Sequence, residues 1–170
     1  MLTGDLKNQV DKVWSRFWSG GMANPLEIIE QITYLLFLKR LDDLQTLAEN
    51  KSRRIKKPIE QNFFPKGAEK LRWNNLKNLA PNEMFNIIDK EVFPFLQNLG
   101  KDEGSYIKHM QGARFTIPSA KLLSDAIDLL DKIPMEERDT KGDLYEYMLG
   151  KLSSSGQLGQ FRTPRHIIQL

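Results

Sequence analysis

Residues 24–47 read NPLEIIEQITYLLFLKRLDDLQTL, and this stretch decides the fold. Asn24 can cap a helix, Pro25 suits a first turn where its missing N–H costs nothing, and Glu27 occupies the acidic position of a capping box. The apolar residues that follow recur at helical spacing: Ile28, Ile29, Ile32, Leu35, Leu36, Leu38, Leu41, Leu44 and Leu47. Because the middle of this helix is apolar almost all round, other helices must cover it on several sides, and we expect it to be the spine of the domain.

The rest of the chain also carries helical periodicity, which predicts an all-α protein. Further helices are expected over residues 6–17, 81–92, 119–133 and 142–152, with a short one near 105–110. Gly20-Gly21 should end the first, Pro94 should end or kink the second, and Pro134 should break the third. No strand-like alternation and no fixed repeat is visible. We predict one irregular helical bundle domain over residues 1–152, followed over 153–170 by a linker and the start of another domain.

The composition excludes several classes of protein. The 170 residues contain no cysteine, which removes disulfide frameworks, thiolate metal sites and cysteine nucleophiles and fits a reducing cytoplasm. The only histidines, His109 and His166, are far apart, so an imidazole-based metal site is disfavoured. We find no signal peptide, no membrane span and no catalytic motif, and we interpret the adjacent Asp42 and Asp43 as a solvated helix face.

Positive charge is concentrated in one segment. Residues 51–72 hold eight basic residues against two acidic ones, although the net charge of the whole chain is only +3. Such a patch on an otherwise acidic chain indicates a polyanionic partner, and a solubilising surface is the alternative. Aromatic residues lie among these bases; for Trp73 we favour a core position, because Leu71, Leu76 and Leu79 continue a helical stripe around it.

The final residues, 159–170, read GQFRTPRHIIQL and are typical of a loop that feeds a helix. Thr163 can cap that helix and Pro164 can be its first residue. A helix amino terminus suits a carboxylate or phosphate, and Phe161 adds a flat apolar face beside it. The segment is therefore either half of a ligand site or a plain interdomain linker with a well-capped helix.

Two carboxyl-side segments, GDLYEYML at 142–149 and GQFRTPR at 159–165, resemble the modification subunit of type I restriction–modification systems. The opening of the chain is also similar to that family, at residues 14–18, at Asn24-Pro25 and at YLLFLKRL over 34–41. Residues 71–73 and 115–133 continue the likeness, which thus spans essentially the whole chain. Members of the family are adenine-N6 DNA methyltransferases with a helical domain ahead of an α/β catalytic domain.

The resemblance implies a cofactor, S-adenosylmethionine, whose methionine side Phe161, Thr163 and Pro164 would line. Arg162 stands where the family usually has an aromatic residue. The family's glycine-rich cofactor motif and its catalytic motif lie downstream of the matching segments, so no catalytic residue can be assigned. We expect the catalytic domain to be missing from this chain, and the chain alone to be inactive and to bind the cofactor weakly.

The resemblance also implies partners in the cytoplasm: DNA, a specificity subunit, a second modification subunit and a restriction subunit, with no membrane. In such an assembly the helical domain would help to enclose DNA, and its bases would contact phosphates without reading sequence. The expected contacts are Lys51, Arg53, Arg54, Lys56 and Lys57. The alternative is a non-enzymatic helical adaptor that binds other proteins.

Overall fold

The computed structural model describes residues 4–60, 62–99 and 108–134. The α-helices run over Gly4–Ser19 (α1), Pro25–Ile55 (α2), Trp73–Leu76 (α3), Pro81–Ile87 (α4), Phe93–Leu99 (α5) and Ala120–Asp131 (α6). Glu69–Leu71 and Lys108–Gly112 are short 3-10 helices, Ile88–Val92 is a π-helix, and no strand occurs in these ranges. The all-α prediction is thereby confirmed. The predicted helix over 142–152 and the predicted linker over 153–170 lie outside the described residues.

Helix α2 is the spine that the sequence predicts. Its first turn is capped by Asn24, whose side-chain oxygen accepts a hydrogen bond from the N–H of Leu26 at 3.0 Å, and Pro25 is its first residue. Every residue from 31 to 39 is buried, so neighbouring segments cover the middle of the helix on all sides. The helix continues to Ile55, two turns beyond the apolar pattern. No helix in the described ranges is both long and apolar enough to cross a bilayer.

Helices α1 and α4 both pack against α6, and the end of α1 approaches α6 closely at Gly20. A Cβ atom at Gly20 would stand 2.8 Å from the methyl carbons of Leu122, so a larger residue here would require the Leu122 side chain to move. Gly21 has a φ of +101°, a conformation that favours glycine. The predicted helix end at these two residues is therefore confirmed. An ion pair of 2.8 Å from Arg16 to Asp125 joins the same two helices.

A buried lysine fastens the end of α6 to α2. Lys39 is 8% exposed, and its Nζ donates hydrogen bonds to the backbone oxygens of Leu130, Asp131 and Ile133. Carbonyl groups in the last turn of a helix lack helical partners, so the ammonium satisfies them and its charge complements the helix dipole. Helix α6 begins where it was predicted, and the Ser119 Oγ caps it by accepting from the N–H of Leu122 at 3.2 Å.

Of the two outcomes predicted for Pro94, a helix end or a kink, the helix end is wrong, because helical residues continue to Leu99. Pro94 is the second residue of α5, which follows α4 through the π-helical turn at Ile88–Val92. In that turn the N–H of Phe93 donates to the carbonyl of Ile88, five residues back. The proline therefore lies in the first turn of a new α-helical segment, where its missing N–H is tolerated.

Candidate nucleic-acid interface

The five predicted phosphate contacts all lie at the carboxyl end of α2. Lys51, Arg53 and Arg54 belong to its last two turns, and Lys56 and Lys57 follow directly. All five side chains are exposed, and no acidic residue of the described ranges forms an ion pair with any of them. The prediction that these bases lie on the surface agrees with the structure, and three of them stand on the last turns of α2.

The end of α2 is fixed by hydrogen bonds around Ser52. The backbone N–H groups of Lys56 and Lys57 both donate to the Ser52 carbonyl, and the Ser52 hydroxyl donates to the Lys57 carbonyl. Lys56 adopts the left-handed conformation, with φ 55° and ψ 41°, in which helices commonly end. Basic residues here also complement the negative end of the helix dipole. The backbone that carries these charges is thus held in one geometry.

Helical geometry divides the bases between two sides of α2. Lys51 shares one face with Leu44, Ala48 and Ile55, because residues spaced by three, four or seven positions align along a helix. Arg53 is about 200° further round the axis, and its Nη2 donates to the Asn50 side-chain oxygen at 2.7 Å. Lys57 returns to the side of Lys51. The five charges therefore do not form one flat patch.

The side that carries Lys51 and Lys57 contains a groove of about 270 Å³. Its walls are mainly apolar, formed by Leu44, Ala48, Ile55, Pro58, Ile59 and Phe63, with both lysines, Ser52 and Glu60 also lining it. Gln45 fixes the far wall, since its side-chain oxygen accepts from the Phe63 N–H at 2.7 Å and its Nε2 donates to Asn62 at 3.0 Å. Helical periodicity does not reveal this groove, because one wall belongs to α2 and the other is formed by Pro58, Ile59 and Phe63, which lie outside any helix.

Arg72 belongs to an internal ion pair and not to the basic surface. Its Nε donates to Asp42 at 2.6 Å, its Nη1 contacts both carboxylate oxygens of Glu49 at 3.0 Å, and its Nη2 donates to Thr46 at 2.9 Å. The guanidinium also lies 5.9 Å from the ring centre of Phe64. Burial lowers the pKa of Arg72, but these hydrogen bonds and both negative charges outweigh it and the net pKa is raised.

The interpretation of Asp42 as solvated is wrong. The Asp42 side chain is 2% exposed and accepts hydrogen bonds from Arg72 and from the backbone N–H of Asn74 at 2.8 Å. Asp42, Thr46 and Glu49 recur at spacings of four and three, so they form a polar stripe on a largely apolar helix. From the sequence, this polar stripe could have indicated that a basic residue packs against α2 there. Lys70 is also engaged, with Glu91 at 2.6 Å, so the exposed charge is smaller than the sequence count suggests.

The predicted core position of Trp73 agrees with the structure. The residue is 2% exposed, and its indole N–H donates to the carboxylate of Asp131 at 2.8 Å. Burial raises the pKa of Asp131, but the hydrogen bonds from Trp73 and Lys77 and the nearby lysine charges outweigh it, and the net pKa is lowered. Trp73 therefore has no surface from which to stack on a nucleic-acid base.

The predicted cofactor site is not part of the described structure. Phe161, Thr163 and Pro164, the predicted lining of the S-adenosylmethionine pocket, lie outside them. Within the same ranges, no cluster of three or more histidine, cysteine, aspartate or glutamate side chains could hold a metal ion. The basic end of α2 with its groove is thus the candidate site that the structure describes.

Comparison with known proteins identifies the family. The family model described as the HsdM N-terminal domain matches residues 6–130, more than half of the chain. The type I restriction enzyme EcoEI methylase subunit of Escherichia coli is 26% identical over 157 residues, which cover 86% of this chain and 31% of that protein.

A solved structure supports the same fold. It comes from work described as the structural basis of complex assembly and conformational transition of the type I R-M system. The match has a TM-score of 0.67 at 22% identity and covers 95% of this chain and 33% of the other. This chain therefore spans about a third of the length of both matched proteins. It belongs to the HsdM N-terminal domain family.

Proposed function

We propose that this chain is the helical amino-terminal part of the modification subunit of a type I restriction–modification DNA methyltransferase, and that it helps to enclose DNA. The observation that carries the DNA contact is the set of five exposed bases at the rigid end of α2. Exposed lysine and arginine side chains on a fixed backbone can contact phosphates in a sequence-independent way. Selection of the DNA target would belong to a specificity subunit.

In this proposal the methyl transfer takes place in a part of the subunit that the chain does not cover. The supporting fact is that the chain spans 31% of the E. coli methylase subunit. S-adenosylmethionine would donate the methyl group to adenine N6, and Phe161, Thr163 and Pro164 would line the methionine side of its pocket. The assembly would work in the cytoplasm and contain a specificity subunit, a second modification subunit and a restriction subunit.

DNA binding by the reconstituted enzyme tests the phosphate contacts. In the first variant all five α2 bases become glutamine: Lys51, Arg53, Arg54, Lys56 and Lys57. The dissociation constant for duplex DNA is measured across a salt series, with and without the target sequence. Each lost phosphate contact should reduce the slope of log K against log salt by about 0.9, hence by up to about 4.5 in total. The preference for the target should not change, because phosphates carry no sequence information.

A matched control removes five exposed charges from other parts of the chain: Lys12, Lys90, Arg114, Lys121 and Lys132. Both variants lose the same net charge, so only a local contact distinguishes them. The salt slope of the control should differ from that of the parent by less than about 0.9, the value of one phosphate contact. If the α2 variant also keeps its slope, this surface does not touch DNA and the adaptor function is favoured.

A further inference from the structure

The groove beside the basic end of α2 has apolar walls, and exposed apolar side chains lie on the same helix end. Phosphate binding uses neither of these features. Three large apolar side chains are prominently exposed in the described part of the chain, namely Trp18, Leu47 and Ile55, and the last two lie on the final three turns of α2. Leu47 is 60% exposed and Ile55 is 44% exposed, and Ile55 also lines the groove. Phosphate gains nothing from an apolar wall, so this surface suits an apolar group.

Hydrogen bonds from α2 hold the opposite wall of the groove in place at two points. The Gln45 side chain accepts from the Phe63 N–H, and the Ser52 hydroxyl donates to the Lys57 carbonyl. Both walls are therefore ordered before a ligand binds, so binding loses little conformational entropy in the groove. Its volume of about 270 Å³ is at the lower end of ligand sites and suits one or two apolar side chains.

The charge of the rim selects among possible occupants. Lys51 and Lys57 line the groove together with a single acidic residue, Glu60, and Arg54 and Lys56 are exposed nearby. An occupant with carboxylates on either side of its apolar anchors would complement this rim, whereas a basic occupant would be repelled. An amphipathic helix that inserts apolar residues into a groove is a common mode of peptide recognition.

We infer that this groove, walled by Leu44, Ala48, Ile55, Ile59 and Phe63 and rimmed by Lys51 and Lys57, binds an acidic amphipathic helix of a partner protein. The helix inserts one or two apolar side chains and places its carboxylates beside the two lysines. Lys51 and Lys57 would thus serve both a protein and a nucleic acid, whereas Arg53, about 200° round the helix axis from Lys51, lies away from the groove. The inference does not depend on the phosphate contacts.

A displayed library of helical peptides, selected against the full chain, tests this inference. Selected peptides should carry apolar residues spaced by three or four, flanked by aspartate or glutamate, and their affinity is then measured by fluorescence anisotropy. Ile55→Glu should weaken them at least tenfold, and Ile55→Ser at least fivefold. The matched control is Trp18→Glu, which alters another half-exposed apolar side chain and should change the affinity less than twofold.

Charge reversal provides the decisive second measurement. The double variant Lys51→Glu, Lys57→Glu should weaken acidic peptides at least tenfold and strengthen versions whose flanking acids are replaced by lysine. Failure to select any peptide, selection of peptides without acids, or indifference to both Ile55 variants would overturn the inference. So would an equal loss of duplex DNA binding in Ile55→Ser, because the groove would then belong to the nucleic-acid surface. Urea midpoints close to that of the parent chain verify that each variant is folded.

Discussion

Replacement of Asp42 by asparagine tests the ion pair that joins the segment around residue 72 to α2. One carboxylate oxygen of Asp42 accepts from the Arg72 Nε at 2.6 Å, and the other accepts from the Asn74 N–H at 2.8 Å. Asparagine has the same shape but only one oxygen. Its NH2 group must therefore face one of these two donors, and the buried guanidinium loses one of its two negative partners.

The expected loss of stability depends on how deeply the ion pair is buried and on which partners Arg72 keeps. The side chains of Asp42 and Arg72 are 2% and 16% exposed, so solvent cannot replace the lost contact. Breaking a buried pair costs about 3–5 kcal/mol when the other charge is left alone. Because Glu49 and Thr46 still bind Arg72, we expect the lower end, about 3 kcal/mol. For a chain of this size such a loss lowers the melting temperature by roughly 6–12 °C.

Urea unfolding followed by circular dichroism measures this difference. Asp128→Asn is the matched control, because it makes the same substitution at an exposed position of another helix and should cost less than about 1 kcal/mol. The slope of the unfolding free energy against urea should be equal in the two variants, so the midpoints report stability directly. If their stabilities agree within about 0.5 kcal/mol, the described ion pair contributes little and the reasoning fails.

Three further substitutions have defined outcomes. Asn24→Ala removes the cap of α2 and should cost about 1 kcal/mol in thermal unfolding; no loss would mean that the cap is redundant. Gly21→Ala should cost about 1 kcal/mol because of its φ of +101°, and a gain in stability would contradict that conformation. The folded pKa of Asp131 lies below its usual value, so its stabilisation is present above that value and is lost as the pH falls through the folded pKa. Trp73→Phe removes one cause of the low pKa of Asp131. An NMR titration should therefore show a higher pKa for Asp131, and stability should depend less on pH in acid. An unchanged pKa would show that the indole is not the partner of Asp131.

Local signals predicted the helix starts well. Asn24-Pro25 and Ser119 begin helices where the sequence places them, because capping depends on side chains within two or three residues of the cap. The double glycine at 20–21 ends α1 for an equally local reason. The apolar periodicity of α2 also predicted the burial of its middle, since a helix segment that is apolar all round has no face left for solvent.

Features that depend on distant partners were not predictable in this way. Asp42 lies next to Asp43 and close to Arg40 in sequence, which suggests a solvated position. It is buried because Arg72, thirty residues later, packs against it. The groove needs Phe63 to face α2, which a hydrogen bond across 18 residues determines. In each case the deciding contact joins segments that no periodicity relates.

The length of α2 determines the directions in which the basic side chains of residues 51–57 point. A flexible loop would let five charges gather on one phosphate backbone, whereas a helix fixes successive side chains about 100° apart. Because α2 extends to Ile55, Lys51 and Arg53 are directed to different sides, and Lys57 is brought back beside Lys51 by the left-handed residue before it. A substitution of one base should therefore not be equivalent to a substitution of another. Arg53→Gln should change only the salt dependence of DNA binding, whereas Lys57→Gln should also weaken the binding of acidic peptides. An equal effect of the two variants on peptide affinity would refute the division of this surface.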